Sequence, residues 1–168
     1  FDTDVSYFAI KKALENQHSN EFVGTIDMYP QEGKYHYDGH RKCNIVFNPT
    51  ETMQNNGLCP VCGSPLTLGV AHRIAELADR DNPLDRPIHK EFKYIIPLKE
   101  ILAEIYQLKP ESQKINKIYF ENIKKLGSEL DILLNIDTNI IKSNCGEFLY
   151  TAIDRLRNNN VIVEEGYD

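Results

Sequence analysis

The sequence predicts an α+β fold, mostly helical. A small knuckle module is followed by a helical C-terminal domain and preceded by the helix–strand remnant of an α/β domain. Three observations carry this prediction. The run Cys59-Pro60-Val61-Cys62-Gly63 has His40-Arg41-Lys42-Cys43 upstream, so the pattern is H-x2-C-x15-C-x2-C. From Leu98 onward, apolar residues recur at helical spacing almost to the end of the chain. Before the knuckle, a helical pattern leads into an alternating run at Phe22–Met28. The corresponding boundaries are 1–33 for the helix–strand end, 34–90 for the knuckle module and 91–168 for the helical domain.

The first element spans Asp4 to about Asn16, with Ile10, Ala13 and Leu14 on one stripe. Phe22, Gly24, Ile26 and Met28 then alternate with Val23, Thr25, Asp27 and Tyr29, a strand closed by Pro30 and the Glu32-Gly33 turn. In the module, Cys43–Phe47 reads as a short strand and Thr50–Asn56 as a polar turn or short helix. Gly69–Asp79 is a helix with its apolar stripe at Val70, Ile74, Leu77 and Ala78. Asp79–Pro87 is a charged, Pro-punctuated linker. Leu98, Ile101, Leu102, Ile105 and Leu108 stripe the next helix, broken at Pro110. Ile115, Ile118, Tyr119, Ile123 and Leu126 stripe another, ended by Gly127. Ser128 with Asp131 resembles a cap for a short third helix, and Asp137 caps a fourth. Phe148, Leu149, Ala152, Ile153 and Leu156 stripe the last, after which Val161–Val163 reads as a terminal strand.

Two closely spaced pairs of N/S donors, joined by a loop, are what a structural zinc ion takes as its four tetrahedral ligands. Gly63 lets the backbone turn tightly after the second Cys. The expected ligands are Cys43, Cys59 and Cys62 with His40 as the fourth, and His36 as the alternative fourth. A disulfide or a redox pair fits poorly, because no secretory pattern and no βαβ context accompany the thiols. Cys145, alone in a helical region, reads as a small buried hydrophobe.

The 168 residues carry 41% hydrophobic and 26% charged side chains, which is ordinary for a globular protein. No apolar run approaches the about 20 residues of a membrane span, so no membrane association is expected. Cysteines reserved for metal point to a reducing, cytoplasmic setting. A net charge of −6 argues against a strong autonomous nucleic-acid binder, although a local basic patch is compatible with it. The chain begins at Phe1 without Met and stops at Gly166-Tyr167-Asp168, and reads as a piece of something longer.

Lys34–Lys42 (Lys-Tyr-His-Tyr-Asp-Gly-His-Arg-Lys) is dense in aromatic, imidazole and basic groups. Aromatic faces stack on unpaired bases while Lys and Arg track phosphates. The plainer reading packs Tyr35 and Tyr37 on one face of a strand leading into the metal site. Asp38-Gly39-His40 has the D-x-H form found in metallohydrolases, but one dyad lacks the other ligands that a catalytic metal needs. Asp79, Asp81 and Asp85, beside Arg80 and Arg86, read as a charge-paired linker. His72 reads as a partly exposed surface residue next to Arg73, and His18 and His89 carry no signal. No nucleophile elbow, phosphate-cradling glycine loop or acidic triad is present, so no catalytic residue is assigned.

The stretches Gly24-Thr25-Ile26, Glu32–Cys43, Cys59–Gly63, Leu66–Arg80, Ile96-Pro97-Leu98, Gly127-Ser128-Glu129 and Glu165–Asp168 together resemble the endonuclease Q family. That family is a group of DNA-repair enzymes with a polymerase-and-histidinol-phosphatase (PHP) catalytic domain. The resemblance implies an enzyme that nicks DNA 5′ to deaminated bases or at abasic sites, using Mg2+ or Mn2+ in its PHP domain. It implies further that this chain is the non-catalytic portion: the end of the PHP domain, the zinc module and the helical domain. Its partners would be lesion-bearing DNA and an upstream PHP domain, in cis or as a separate chain, and alone it would be inactive. Tyr35, His36, Tyr37, Arg41, Lys42 and Arg73 are the expected DNA contacts. Two other classes stay open. One is a zinc-stabilised protein-interaction module without catalysis, and the other is an autonomous metallohydrolase using Asp38, His36 and His40.

Overall fold

The structure, a computed structural model, describes residues 1–16, 20–80 and 90–167. Most of the predicted linker, including Asp81, Asp85 and Arg86, lies outside the described residues, as do His18 and His89. The elements run α1 (Tyr7–Glu15), β1 (Gly24–Met28), β2 (Asp38–His40), β3 (Ile45–Phe47), α2 (Pro49–Gln54), α3 (Val70–Leu77) and β4 (Glu91–Ile95). They continue with α4 (Leu98–Tyr106), α5 (Gln113–Leu126), α6 (Thr138–Cys145) and α7 (Glu147–Arg157). Backbone proximity groups the residues up to Thr25, Tyr29–Phe92 and the segment from Val163 into one compact unit. Ile26–Met28 with Lys93–Ile162 form another.

In the first unit, β2 and β3 form an antiparallel hairpin with Asp38 opposite Phe47, Gly39 opposite Val46 and His40 opposite Ile45. The turn between them is a 3-10 turn at Arg41–Cys43 closed by Asn44, whose φ of 53° is the left-handed conformation that Asn tolerates. Asn48 then starts α2 through a reciprocal capping box. Its side chain accepts from the Glu51 amide at 2.9 Å, and the Glu51 carboxylate accepts from the Asn48 amide at 2.8 Å. Pro49 occupies the first helical position, where a missing N–H costs nothing.

The predicted apolar stripe of α3 is on the helix but not in a core. Val70, Ile74 and Leu77 are exposed, and the helix has no buried residue. What fixes α3 is its first turn. The Gly69 amide donates to the Asp38 carboxylate, the Val70 amide to the Tyr35 carbonyl and the Ala71 amide to the His36 carbonyl. Three of the amides that a helix start leaves without intrahelical partners are thus received by the segment 35–38, which leads into the hairpin. A side chain at Gly69 would overlap the carbonyls of His36 and Tyr37, so this approach requires glycine.

The second unit is a helical assembly. Its core is Leu98, Ile101, Leu102, Ile115, Ile132, Leu133, Ile141, Leu149, Ile153 and Leu156, all at most 6% exposed. Sequence periodicity locates most of these residues, with two corrections. Leu108 falls beyond the end of α4, because Gln107 turns into the left-handed conformation at φ 52°. Phe148 sits at the start of α7 on its solvent side, 78% exposed, and the stripe runs through Leu149, Ile153 and Leu156 instead. Ser112 caps α5, Gly127 ends it at φ 103°, and Asp137 caps α6. The Ser128–Asp131 arrangement opens a π-helical turn at Asp131–Asn135. Its last carbonyls are collected by Arg157, which donates to Leu133, Ile136 and Ile132 at 2.9, 2.6 and 2.9 Å.

Val161–Val163 is not a strand. The chain after it forms a single parallel bridge, Tyr37 to Tyr167. Among the described residues, no helix is long and apolar enough to cross a membrane.

Candidate metal centre and nucleic-acid interface

His40, Cys43, Cys59 and Cys62 converge. One donor atom from each lies within 4.8 Å of all the others. The hairpin supplies His40 just before its 3-10 turn and Cys43 as the last residue of that turn. The knuckle supplies the other two. In it the Cys59 amide donates to the Ser64 carbonyl, the Gly63 amide returns to the Cys59 carbonyl, and Gly63 adopts φ 73°. The Gly39 and Thr67 backbones exchange two hydrogen bonds of 2.9 Å, which locks the hairpin against the segment leaving the knuckle. His40 turns Nδ1 toward the Cys62 sulfur at 3.4 Å. A tetrahedral zinc with sulfur at about 2.3 Å would separate its ligands by roughly 3.8 Å, so small inward shifts suffice to close the cluster on an ion. One imidazole and three thiols form a soft donor set suited to Zn2+.

The thiols of the cluster differ in their surroundings. Burial, with hydrogen bonds to Cys62 and Cys59, pushes the Cys43 thiol up to about 11. Hydrogen bonds from Ser64 lower the Cys62 thiol to about 6. Cys59 is 1% exposed, so the cluster reaches into the interior on one side while Cys62 faces solvent. Cys145 stands apart, half-buried on α6, with burial raising its thiol.

His36, the alternative ligand, points elsewhere. Its Nε2 lies 3.2 Å from a Glu165 carboxylate oxygen, and its ring stacks on Tyr37 at 5.2 Å. The D-x-H dyad is also split. His40 joins the cysteines, whereas Asp38 is fully buried and its second oxygen holds His72 Nδ1 at 2.6 Å. His72 is therefore not a surface residue but 12% exposed and engaged with Asp38, with Glu76 at 3.9 Å from Nε2. Among the described residues, no second group of His, Cys, Asp or Glu is placed to hold a metal ion.

The residues expected to touch DNA divide by environment. Tyr35 is 48% exposed, with the Lys34 ammonium on its hydroxyl at 3.0 Å and over its ring. Lys42 is exposed. Arg73 is exposed on α3 and paired with Glu76 at 2.7 Å. His36, Tyr37 and Arg41 are engaged by the chain's last residues. Besides the Glu165 pair, the Tyr37 amide donates to the Gly166 carbonyl, Arg41 donates to the Tyr167 carbonyl at 3.2 Å, and the Tyr167 hydroxyl donates to Asn44 at 2.8 Å. Asp38 is a sequence candidate through the D-x-H spacing, but its role as acceptor for Gly69 and His72 was not legible, and neither were His72, Glu165 and Tyr167 as site residues. Their partners lie 31 to 130 positions away, and only the D-x-H spacing gave any signal.

Comparison with known proteins gives the site a context. A family profile described as the MJ0043 C-terminal domain matches residues 97–160. The uncharacterized protein MJ0043 of Methanocaldococcus jannaschii is 31% identical over 130 residues, covering 76% of this chain and 16% of that protein. The chain thus spans about a sixth of that relative's length. Two solved structures superpose on nearly all of it. The lesion-specific endonuclease PfuEndoQ of Pyrococcus furiosus matches at TM-score 0.78 and 27% identity, covering 97% of this chain and 40% of that one. Endonuclease Q in complex with a 27-mer duplex bearing an abasic lesion at the active site matches at TM-score 0.80 and 28% identity, covering 99% of this chain and 41% of that one. The chain therefore has the fold of about two fifths of endonuclease Q, with a His/Cys cluster able to hold a metal ion built into it.

Proposed function

We propose that this chain is the zinc-binding, DNA-recognition portion of an endonuclease Q-like repair nuclease. That nuclease would nick DNA 5′ to deaminated bases or abasic sites. The observation that carries the reading is the superposition of 99% of the chain on an endonuclease Q bound to lesion-bearing duplex. The nuclease metals, Mg2+ or Mn2+, would belong to a PHP domain acting in cis or as a separate chain, and these residues alone would not cut. Zinc at His40, Cys43, Cys59 and Cys62 would supply folding energy, tying the hairpin to the knuckle. It would thereby hold the Tyr35–Lys42 stretch in place. That stretch and Arg73 would form the surface that meets a strand opened at a lesion, where a damaged or mispaired base is least costly to unstack.

Two measurements test this. The purified chain should contain one zinc per molecule. Replacing Tyr35, Arg41 and Lys42 together by Ala should weaken binding to a uracil- or abasic-site duplex by about tenfold or more. Unchanged affinity in the triple variant would remove this stretch from the DNA interface.

A second reading is a zinc-stabilised protein-interaction module without catalysis. One observation favours it: Val70, Ile74 and Leu77 present an apolar face on α3 at 59%, 60% and 66% exposure. A chain that binds zinc but neither damaged nor intact DNA would select it.

A further inference from the structure

The solvent side of α5 has a composition that the fold does not require. The helix buries Ile115 and Asn122 and turns Gln113, Lys114, Lys117, Phe120, Glu121 and Lys124 outward, all exposed. These six fall at three- and four-residue intervals and so share one face. Four lysines against one glutamate give α5 a charge of +3 in a chain whose net charge is −6. Lys125, the fourth lysine, is turned aside and donates to the Asn144 carbonyl at 3.4 Å. Phe120 is 63% exposed between Lys117 and Lys124, its ring edge-on to Tyr119 at 5.2 Å.

We propose that this face is a second DNA contact, in which Lys114, Lys117 and Lys124 receive backbone phosphates and Phe120 lies against an unstacked base. Lys117 and Lys124 are about 10 Å apart along the helix axis. Nucleotides of one strand rise roughly 3.4 Å each along a duplex, so that interval spans about three nucleotide steps. An exposed aromatic ring flanked by ammonium groups is the arrangement by which proteins hold single-stranded or locally opened nucleic acid without reading its sequence. Lys114 lies over the half-exposed ring of Tyr106 at 5.9 Å, so the aromatic groups of this surface sit beside ammonium groups, where a protein-partner surface would present an aliphatic apolar patch. The inference rests on the DNA-recognition reading above and extends it to the helical unit.

The test uses the complete chain, a fluorescent abasic-site duplex, its undamaged twin and a single-stranded oligonucleotide, at 50 to 200 mM salt (about the range over which phosphate contacts are resolved). Lys117→Gln with Lys124→Gln should weaken binding to all three by about tenfold and lower the salt slope by roughly two. Phe120→Ala should weaken the abasic-site and single-stranded complexes by roughly five- to a hundredfold and leave the salt slope in place. All three side chains are exposed, so circular dichroism and Tm should match the parent. If the parent binds DNA and both variants bind equally well with an unchanged slope, α5 is not a contact while the recognition reading stands. If the parent binds no DNA, both fall. A change in self-association without a change in DNA affinity would make the face a protein interface and overturn the proposal.

Discussion

Asp38 holds His72 Nδ1 at 2.6 Å with one carboxylate oxygen and the Gly69 amide at 2.6 Å with the other, and its side chain is wholly removed from solvent. A buried carboxylate is tolerated only when its oxygens are received in this way. The arrangement ties the hairpin that bears two of the candidate metal ligands to the start of α3. Asp38→Ala should destabilise the first unit by about 3 kcal/mol, since it leaves a helix-start amide and an imidazole without their acceptor. His72→Ala should cost about 1 to 2 kcal/mol, and the double variant should cost less than the sum. Urea unfolding of the four proteins measures the coupling.

Metal removal should unfold the knuckle and spare the helical unit. Cys59→Ser changes the buried thiol of the cluster, and the variant should lose bound zinc and melt early, as a chelator-treated parent should. Zinc takes thiolates, so binding displaces protons. Affinity should therefore rise from pH 6 to pH 8, as the thiols and the imidazole lose their competing protons. Competition titrations against a chromogenic chelator at these pH values check the sign.

Arg157 replaces a helix cap. Its guanidinium donates to three carbonyls at the end of the π-helical turn. Arg157→Ala should destabilise the helical unit by about 2 to 4 kcal/mol, because buried carbonyls lose their donors. Arg157→Lys should recover little of this, as one ammonium cannot reach three acceptors held by a planar fork. Chemical denaturation followed by helical ellipticity measures both.

The Tyr119 hydroxyl donates to Glu129 at 2.8 Å, and the other Glu129 oxygen accepts from the Leu98 amide at 2.7 Å. The Glu129 carboxylate holds the Tyr119 hydroxyl above its ordinary 10. The folded state therefore favours the protonated phenol. Its contribution is fully present below pH 10 and is lost as pH rises through the folded value. Tyr119→Phe should cost about 1 kcal/mol at pH 7 and should flatten the alkaline part of the stability profile. Unfolding curves from pH 7 to pH 11 test this.

Local signals in the sequence locate local structure. Gly127 and Asp137 mark helix ends because a cap is decided within four residues. The ligand spacing of His40, Cys43, Cys59 and Cys62 is visible because each pair is held by its own tight turn. The exposure of Val70, Ile74 and Leu77 was not visible, since a helical stripe states which residues share a face and not what covers it. Nor was the bridge of Tyr37 to Tyr167, or the bond of Asp38 to His72. Both join residues far apart in sequence, where neither periodicity nor turn chemistry carries information.

The most direct test of the account places the purified chain with duplexes carrying one uracil, hypoxanthine or abasic site, beside an undamaged twin, in Mg2+ or Mn2+. Binding and strand scission are scored in the same tubes. The account predicts selective binding to the damaged duplexes without scission. Scission 5′ to the lesion by this chain alone would contradict it and would place a nuclease centre within these residues.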